Sequence, residues 1–230
     1  MNIPRIPQNV SPYARACLEA IASANLGQHI SLGGAFGLAH YLEYRATHDI
    51  DAWWNESATA KDMADTIDTV MKALREFGGT RVRSWGEVSI VELETEGKIV
   101  FSFQVAHRSA LLQKPLASPW AGGVRVDRLE DLVAAKMTAL VERGAPRDFR
   151  DIHAICGAGL CSVSRCWELW EERQALARED KDARRARIAI GSHLARLEAS
   201  RPLEGIPDPE SRGQASRLRA WFEEDFLREH

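Results

Sequence analysis

The sequence has little cysteine, little net charge and no long hydrophobic run, and each shortage excludes a class of protein. No apolar stretch among its 230 residues approaches the roughly 20 residues of a membrane-spanning helix. The first ten residues lack the apolar core of a secretory signal. The formal net charge is −3, so no overall field draws the chain to nucleic acid or to a membrane. We therefore expect a cytoplasmic globular protein without membrane contact.

The cysteines do not form a zinc-binding pattern. Cys156, Cys161 and Cys166 have the spacing C-x4-C-x4-C, which differs from the paired C-x2-C spacing of common zinc sites. Together with Cys17 they make four cysteines in all. We interpret them as buried or half-buried thiols in a reducing compartment.

One stretch of the chain combines a Gly-Gly pair with an Asp-x-Asp triplet. Fourteen residues separate Gly33-Gly34 from Asp49-Ile50-Asp51. Side chains alternate along a strand, so the two carboxylates share one face. Mg²⁺ is usually held by one or two carboxylates and substrate phosphates, and glycines let backbone N–H groups approach an anion. The pattern predicts a site for phosphate and metal, although a solvated turn is the alternative for the triplet alone.

The Gly-Gly pair, a helical run and the Asp-x-Asp strand resemble the first motif of the nucleotidyltransferases that share a fold with DNA polymerase β. With Arg45 shortly before Asp49, the stretch is most similar to the AbiEii/AbiGii-type nucleotidyltransferase toxin family. A second similarity is a helical lysine, Lys136, followed twelve residues later by Asp148 in an Arg-Asp-x-x-Asp segment. On its own, Lys136 could be a lysine that extends past the edge of the core.

Hydrophobic periodicity predicts an α+β protein with two parts. Helices are predicted near residues 11–24, 35–44, 59–77, 127–143, 146–156, 162–178, 181–199 and 215–226, and strands near 28–32, 49–54, 81–85, 87–94 and 98–106. Residues 1–117 are predicted to form a nucleotidyltransferase-like core, a small mixed sheet with helices on one side. Residues 118–230 are predicted to form an all-helical domain that carries the Lys/Asp motif.

The resemblance implies how the first motif binds nucleotide. Asp49 and Asp51 are expected to hold Mg²⁺ on the phosphates of a nucleoside triphosphate. Gly33, Gly34 and the backbone N–H of Ala35 are expected to bind the β- and γ-phosphates.

The resemblance also implies roles for the second motif. Lys136 is expected to neutralise triphosphate charge, and Asp148 to orient Lys136 or an arginine, or to help activate the attacking hydroxyl. Arg45 is expected either to contact phosphate or to form a structural salt bridge. Arg147 and Asp151 are interpreted as structural.

The sequence departs from the superfamily at the place of a third carboxylate. On the strand predicted to lie beside the Asp-x-Asp strand, the polar positions are Ser102 and Gln104. Glu92 and Glu94 on the neighbouring strand are the available substitutes. Trp54 is interpreted as a core or lid aromatic, with stacking on a base as the alternative.

Three functions fit this pattern. The first is Mg²⁺-dependent transfer of a nucleoside monophosphate to RNA, notably tRNA, by a toxin restrained by a cognate antitoxin. The second is nucleotide or partner binding without turnover, and the third is transfer to a small molecule such as an antibiotic. A basic helix near residues 181–201 is interpreted either as a solvated surface or as a surface that binds RNA phosphates, with three arginines expected to face solvent, Arg184, Arg185 and Arg196.

Overall fold

The computed structural model describes residues 2–228 and divides the chain into two compact units. The first, the sheet unit, continues through Leu132, and the second, the helical unit, begins at Val133. The division therefore falls later than the predicted break at residue 118. The reason is that Arg125–Val126, after the predicted break, forms a two-residue strand of the sheet, and periodicity cannot detect so short an element.

Within residues 2–228, seven strands form one mixed sheet in the order β3-β4-β5-β2-β1-β7-β6. The strands are β1 (Ile30–Leu32), β2 (Ile50–Trp54), β3 (Gly79–Trp85), β4 (Val88–Thr95), β5 (Lys98–Ala106), β6 (Leu116–Ala117) and β7 (Arg125–Val126). Strand β2 is antiparallel to β1 and parallel to β5, while β3, β4 and β5 form an antiparallel meander. The predicted hairpin between β4 and β5 is confirmed.

The helices of the described residues follow the predicted order. They are α1 (Pro12–Ser23), α2 (Gly34–Ala39), α3 (Ala60–Leu74), α4 (Leu129–Glu142), α5 (Pro146–Gly157), α6 (Val163–Ala177), α7 (Ala183–Ser200) and α8 (Pro209–Trp221). A single π-helical turn, Phe222–Phe226, follows α8. The α+β architecture with a helical C-terminal part is confirmed.

The helix starts are specified by local side-chain chemistry. Ser11 accepts a hydrogen bond from the backbone N–H of Ala14, and a proline follows it at the first helical position of α1. Thr59 and Asp62 form a capping box at the start of α3. Helices α1 and α3 pack on each other, and their apolar faces join the sheet in the core of the first unit.

Helix α2 is shorter than predicted. It ends at Ala39, whereas the sequence pattern continued to about Tyr44. The next two residues form tertiary contacts instead: His40 folds back onto the carbonyl of Phe36, and the Tyr41 hydroxyl donates to the carbonyl of Asp127. A six-residue helix has only a small macrodipole. An anion at its N-terminus would therefore be bound mainly by hydrogen bonds from individual backbone N–H groups.

The core of the helical unit is aromatic. Five buried rings make edge-to-face and tilted contacts: Phe149, Trp167, Trp170, Phe222 and Phe226. These contacts join α5, α6 and the turn after α8, which is why the last segment of the described chain is well packed. Among residues 2–228 no helix is long and apolar enough to cross a membrane.

The sheet unit contains a buried neutral histidine whose tautomer is fixed by its neighbours. The indole N–H of Trp120 donates to His40 Nε2 at 2.8 Å, so Nδ1 carries the proton and donates to the carbonyl of Phe36 at 2.8 Å. Burial lowers the pKa of His40 below its usual value.

We predict that His40 makes the protein less stable in mild acid. Below about pH 6.5 the unfolded chain protonates this histidine, whereas the folded chain resists protonation, so the free energy of unfolding falls with pH. His40→Gln should give a shallower fall in melting temperature between about pH 7.5 and 5.5. His48→Gln, at an exposed histidine, should keep the wild-type slope. Equal slopes in all three proteins would contradict the prediction.

Candidate functional site

The two faces of strand β2 have opposite character. Ile50, Ala52 and Trp54 are buried in the core, whereas Asp51 and Trp53 point to the other face and are half-buried. Asp49 directly precedes the strand and is exposed. The burial of Trp54 fits a core aromatic, so Trp53 is the aromatic on the acid-bearing face.

Asp49 is held in place by the neighbouring strand. One of its carboxylate oxygens, Oδ1, accepts two hydrogen bonds from Ser102, one from the backbone N–H and one from the hydroxyl, both at 2.9 Å. Strand β5 lies parallel to β2, with Asp51 opposite Gln104. Ser102 and Gln104 therefore occupy the polar positions beside the acids, as the sequence predicted.

The Gly-Gly pair lies against the acid-bearing face of β2. The backbone N–H of Gly33 donates to the carbonyl of Asp51 at 2.8 Å. A side chain on Gly34 would overlap the Asp51 carboxylate, since an added Cβ would lie 2.6 Å from Asp51 Cβ. Gly34 also has φ +55°, a conformation that favours glycine. At Gly33 an added Cβ would lie 2.9 Å from Cδ1 of Trp53.

These residues fit a divalent cation accompanied by phosphates. Asp49 and Asp51 supply two carboxylates next to a backbone turn that only glycine allows, and Mg²⁺ commonly takes one or two carboxylates with phosphates as further ligands. Within residues 2–228 no group of three or more His, Cys, Asp or Glu side chains is arranged to bind a metal. A cation held by Asp49 and Asp51 would therefore take its remaining ligands from substrate phosphates or water.

Glu92 does not replace the third carboxylate. It faces Ser102 across β4 and β5, and is therefore two strands away from Asp49, roughly 10 Å between backbones. Arg81 donates two hydrogen bonds to Glu92 Oε2 at 2.9 and 2.8 Å, and Arg83 reaches Oε1 at 3.5 Å. Glu94 is exposed near the hairpin turn.

Arg108, which lies over the ring of Trp53 on the acid-bearing face of the sheet, was not predicted from the sequence. Arg108 donates to Asp127 at 2.9 Å and to the hydroxyl of Ser31, and its guanidinium lies 5.6 Å from the centre of the Trp53 ring. Ser31 pairs with Trp53 across β1 and β2. The alternation Asp49, Asp51, Trp53 could have indicated the tryptophan, but no local pattern points to Arg108.

Asp131 is a buried acid with a structural task. It accepts hydrogen bonds from the backbone N–H groups of Leu112 and Gln113 at 2.7 and 3.0 Å. Burial raises the pKa of Asp131 above its usual value, against the opposing effect of these two bonds. It therefore orders the loop after β5.

Arg45 contacts its sequence neighbours. Its Nε donates to the Tyr44 hydroxyl at 3.0 Å, and Nη1 reaches the carbonyl of Ala46 at 3.4 Å. The guanidinium lies 5.8 Å from the centre of the Tyr44 ring. These contacts hold Arg45 within the loop between α2 and β2.

The second motif forms one buried and one half-exposed ion pair in the helical unit. Lys136 Nζ lies 2.6 Å from Asp151 Oδ2, and both side chains are largely buried. Asp148 instead accepts two hydrogen bonds from Arg143 at 2.8 Å and one from the backbone N–H of Ala145 at 3.0 Å. Asp148 was expected to pair with Lys136 or with an arginine, and in the structure it pairs with Arg143. Lys136 pairs with Asp151 instead.

A mixed sheet that places a Gly-Gly turn against an Asp-x-Asp strand is the arrangement that the sequence resemblance to polymerase-β-like nucleotidyltransferases implied. The chain belongs within that class to the nucleotidyl transferase AbiEii toxin family of type IV toxin–antitoxin systems, whose sequence model matches residues 16–221. The family named from the two motifs is thereby confirmed.

Two solved structures from Helicobacter pylori have a similar fold. JHP933 is 16% identical over 95% of both chains with a TM-score of 0.50. A protein described as a candidate nucleotidyltransferase is 15% identical, with a TM-score of 0.50 over 95% of this chain and 96% of the other. At such identities the likeness shows the fold alone. A comparison with curated protein sequences gave no match.

We predict that Gly34→Ala disrupts the site by more than the strain of its positive φ alone would explain. A matched control is Gly123→Ala, because Gly123 has φ +78° but an added Cβ would have its nearest neighbour 3.6 Å away. Both variants carry the left-handed strain of about 1–2 kcal/mol, but only Gly34→Ala displaces Asp51. Gly34→Ala should have a lower melting temperature and a lower affinity for nucleotide than Gly123→Ala. Equal behaviour of the two variants would count against this geometry.

Lys136→Met should destabilise the protein. The substitution removes the lysine that forms an ion pair with the fully buried Asp151. Removing one partner of a buried ion pair costs about 3–5 kcal/mol. Urea unfolding should show a loss of this size in the free energy of unfolding of Lys136→Met. Lys136→Met/Asp151→Asn should recover much of that loss. Lys61→Met, which breaks an exposed pair with Asp65, should change stability little. A stable single Lys136→Met variant would contradict the prediction.

Proposed function

We propose that this protein transfers a nucleoside monophosphate from a nucleoside triphosphate to an acceptor hydroxyl on RNA. The observation that carries the proposal is the contact of the Gly34 backbone with the carboxylate of Asp51, beside Asp49. It brings a turn suited to phosphate against two acids suited to a cation. Membership of a nucleotidyltransferase family supports the same chemistry.

Each residue of the first motif has a defined task in this proposal. Asp49 and Asp51 hold Mg²⁺, and Ser102 fixes the orientation of Asp49. When bound, Mg²⁺ neutralises phosphate charge and favours in-line attack on the α-phosphate. The N–H of Gly33, expected to bind phosphate, already donates to the carbonyl of Asp51. The backbone N–H groups of Gly34 and Ala35 therefore bind the β- and γ-phosphates, because a glycine turn lets an anion approach the chain closely.

Lys136 has two tasks in this proposal. Its charge stabilises the leaving pyrophosphate, and its ion pair with Asp151 supports the fold. Lys136→Met/Asp151→Asn separates the two, because both buried charges are removed together. If the charge of Lys136 serves the reaction, the folded double variant should lose at least about 10²-fold in transfer, the scale of one electrostatic stabiliser. Normal transfer by this variant would leave Lys136 only its structural task.

Asp49→Asn and Asp51→Asn should each abolish transfer while the protein stays folded. Asparagine keeps an oxygen for the hydrogen bonds of Ser102 but removes the charge that a cation requires, so we expect a loss of at least about 10²-fold. Glu94→Gln, which removes a charge from an exposed acid on β4, is the matched control and should keep wild-type activity. Near-normal transfer in either Asp variant would refute the metal assignment.

The test of the whole proposal is incubation of the protein with each labelled triphosphate, Mg²⁺ and total RNA. Labelled RNA, notably tRNA, is the expected product, with release of pyrophosphate. Label on a small molecule instead would favour an antibiotic-type transferase.

A catalytically inactive nucleotide-binding protein is the second candidate. The observation that favours it is the face of β5, where Ser102 and Gln104 replace a third acid beside the Asp pair. Triphosphate binding without pyrophosphate release would support this reading.

An antitoxin is the proposed regulator, since the family is a type IV toxin–antitoxin family. The proposal of an antitoxin is tested by expressing the protein in cells: growth should stop, and co-expression of a neighbouring gene should restore it. Survival of cells that express the active protein would count against a toxin.

A further inference from the structure

The helical unit contains a basic cavity that the proposed transfer reaction does not use. Its volume is about 640 Å³, and it lies where α4 ends, α5 begins and α7 ends. Three arginines line it: Arg143, Arg196 and Arg201. Within the described residues no carboxylate lines the cavity.

The cavity wall is held together by a glycine and a histidine. Gly144 ends α4 with φ +52°, and a Cβ there would lie 2.5 Å from the His193 ring, so α7 packs directly on this backbone. The carbonyl of Val141 can only accept, so His193 Nε2 donates to it at 3.0 Å. In the neutral ring Nδ1 is then the acceptor for Arg196, which places that guanidinium at the cavity.

The charges around the cavity are unequal. Asp148 compensates Arg143 through two hydrogen bonds at 2.8 Å, although about half of the arginine side chain, 52%, stays exposed. Arg196 and Arg201 are exposed and have no carboxylate in the cavity wall among the described residues. The cavity therefore offers two strongly positive planar groups, with a third partly neutralised beside them.

We propose that this cavity binds a phosphodiester group of the acceptor RNA. The inference rests on the proposed function, in which RNA is the acceptor and the triphosphate is assigned to the Gly33-Gly34 turn. Guanidinium groups bind phosphate oxygens in a bidentate manner, which favours a phosphate over a single carbonyl or hydroxyl.

The lining of the cavity favours nucleic acid over a protein partner. Protein interfaces have apolar cores that are depleted in charge, whereas nucleic-acid interfaces are polar and strongly positive. None of the large hydrophobic side chains that are exposed in the described part of the chain lines this cavity. An acidic peptide remains the competing occupant that the experiment must separate.

The test compares two double variants of the full chain. Arg196→Gln/Arg201→Gln removes two charges from the cavity. Arg212→Gln/Arg217→Gln removes two charges from exposed arginines of the same unit that lie outside it. The probe is a fluorescein-labelled single-stranded RNA of 12 nucleotides, about the size of a site for one binding domain. Circular dichroism and thermal unfolding confirm that both variants fold.

The cavity variant should bind this RNA at least about tenfold more weakly, as expected for losing a charged hydrogen bond. The slope of log affinity against log salt should become shallower by roughly 0.7 to 0.9 for each lost phosphate contact. The control variant should keep wild-type affinity within about threefold, the scale of a weak surface charge effect. Equal weakening of both variants, or of neither, would overturn the proposal.

Two further measurements identify which claim has failed. If the wild type labels RNA but the cavity variant binds RNA normally, the cavity proposal is wrong and the proposed function stands. If the wild type labels no RNA with any triphosphate, the proposed function is wrong, and the RNA-binding comparison decides the cavity on its own. A labelled ten-residue glutamate peptide tests the competing occupant: its loss of binding to the cavity variant, with RNA binding unchanged, would assign the cavity to a protein partner.

Discussion

The candidate site depends on one close approach, between the backbone of Gly34 and the carboxylate of Asp51. Any side chain at residue 34 would displace the acid, and φ +55° already restricts this position to glycine in practice. The antiparallel pairing of β1 with β2 produces the approach, because it sets Leu32 opposite Ala52 and brings the following turn to the acids. A three-residue strand thus positions both halves of the site.

This part of the structure could be predicted because its determinants are local. Alternation along β2 assigns Asp49 and Asp51 to one face and Ile50 and Ala52 to the other, and the structure has that arrangement. The long amphipathic helices were predictable for the same reason, since their periods extend over several turns. The two-residue strands β6 and β7 were not, because a strand that short has no period.

The partners of the buried charges could not be read from spacing. Asp148 and Asp151 are three residues apart, on neighbouring positions of one helix face, so the sequence alone does not decide which of them meets Lys136. Packing decides it. Asp148 lies in the first turn of α5, where the backbone N–H of Ala145 and the side chain of Arg143 already engage it. Asp151, one turn later, is left to neutralise the lysine.

The basic segment near α7 shows why the number of charges is a poor guide to binding. Arg185 is bound by Asp180 and Asp182, at 2.8 and 3.1 Å, so its charge is largely offset. Arg187 lies 4.3 Å from the centre of the Trp167 ring, where its guanidinium packs on the aromatic core. Arg196 donates a hydrogen bond to Nδ1 of His193. A histidine that accepts a hydrogen bond is neutral, so it does not offset the positive charge of Arg196. Attraction for phosphate depends on charge that reaches solvent without a carboxylate nearby, and by that measure Arg196 and Arg201 at the end of α7 offer more of it than Arg185 at its start.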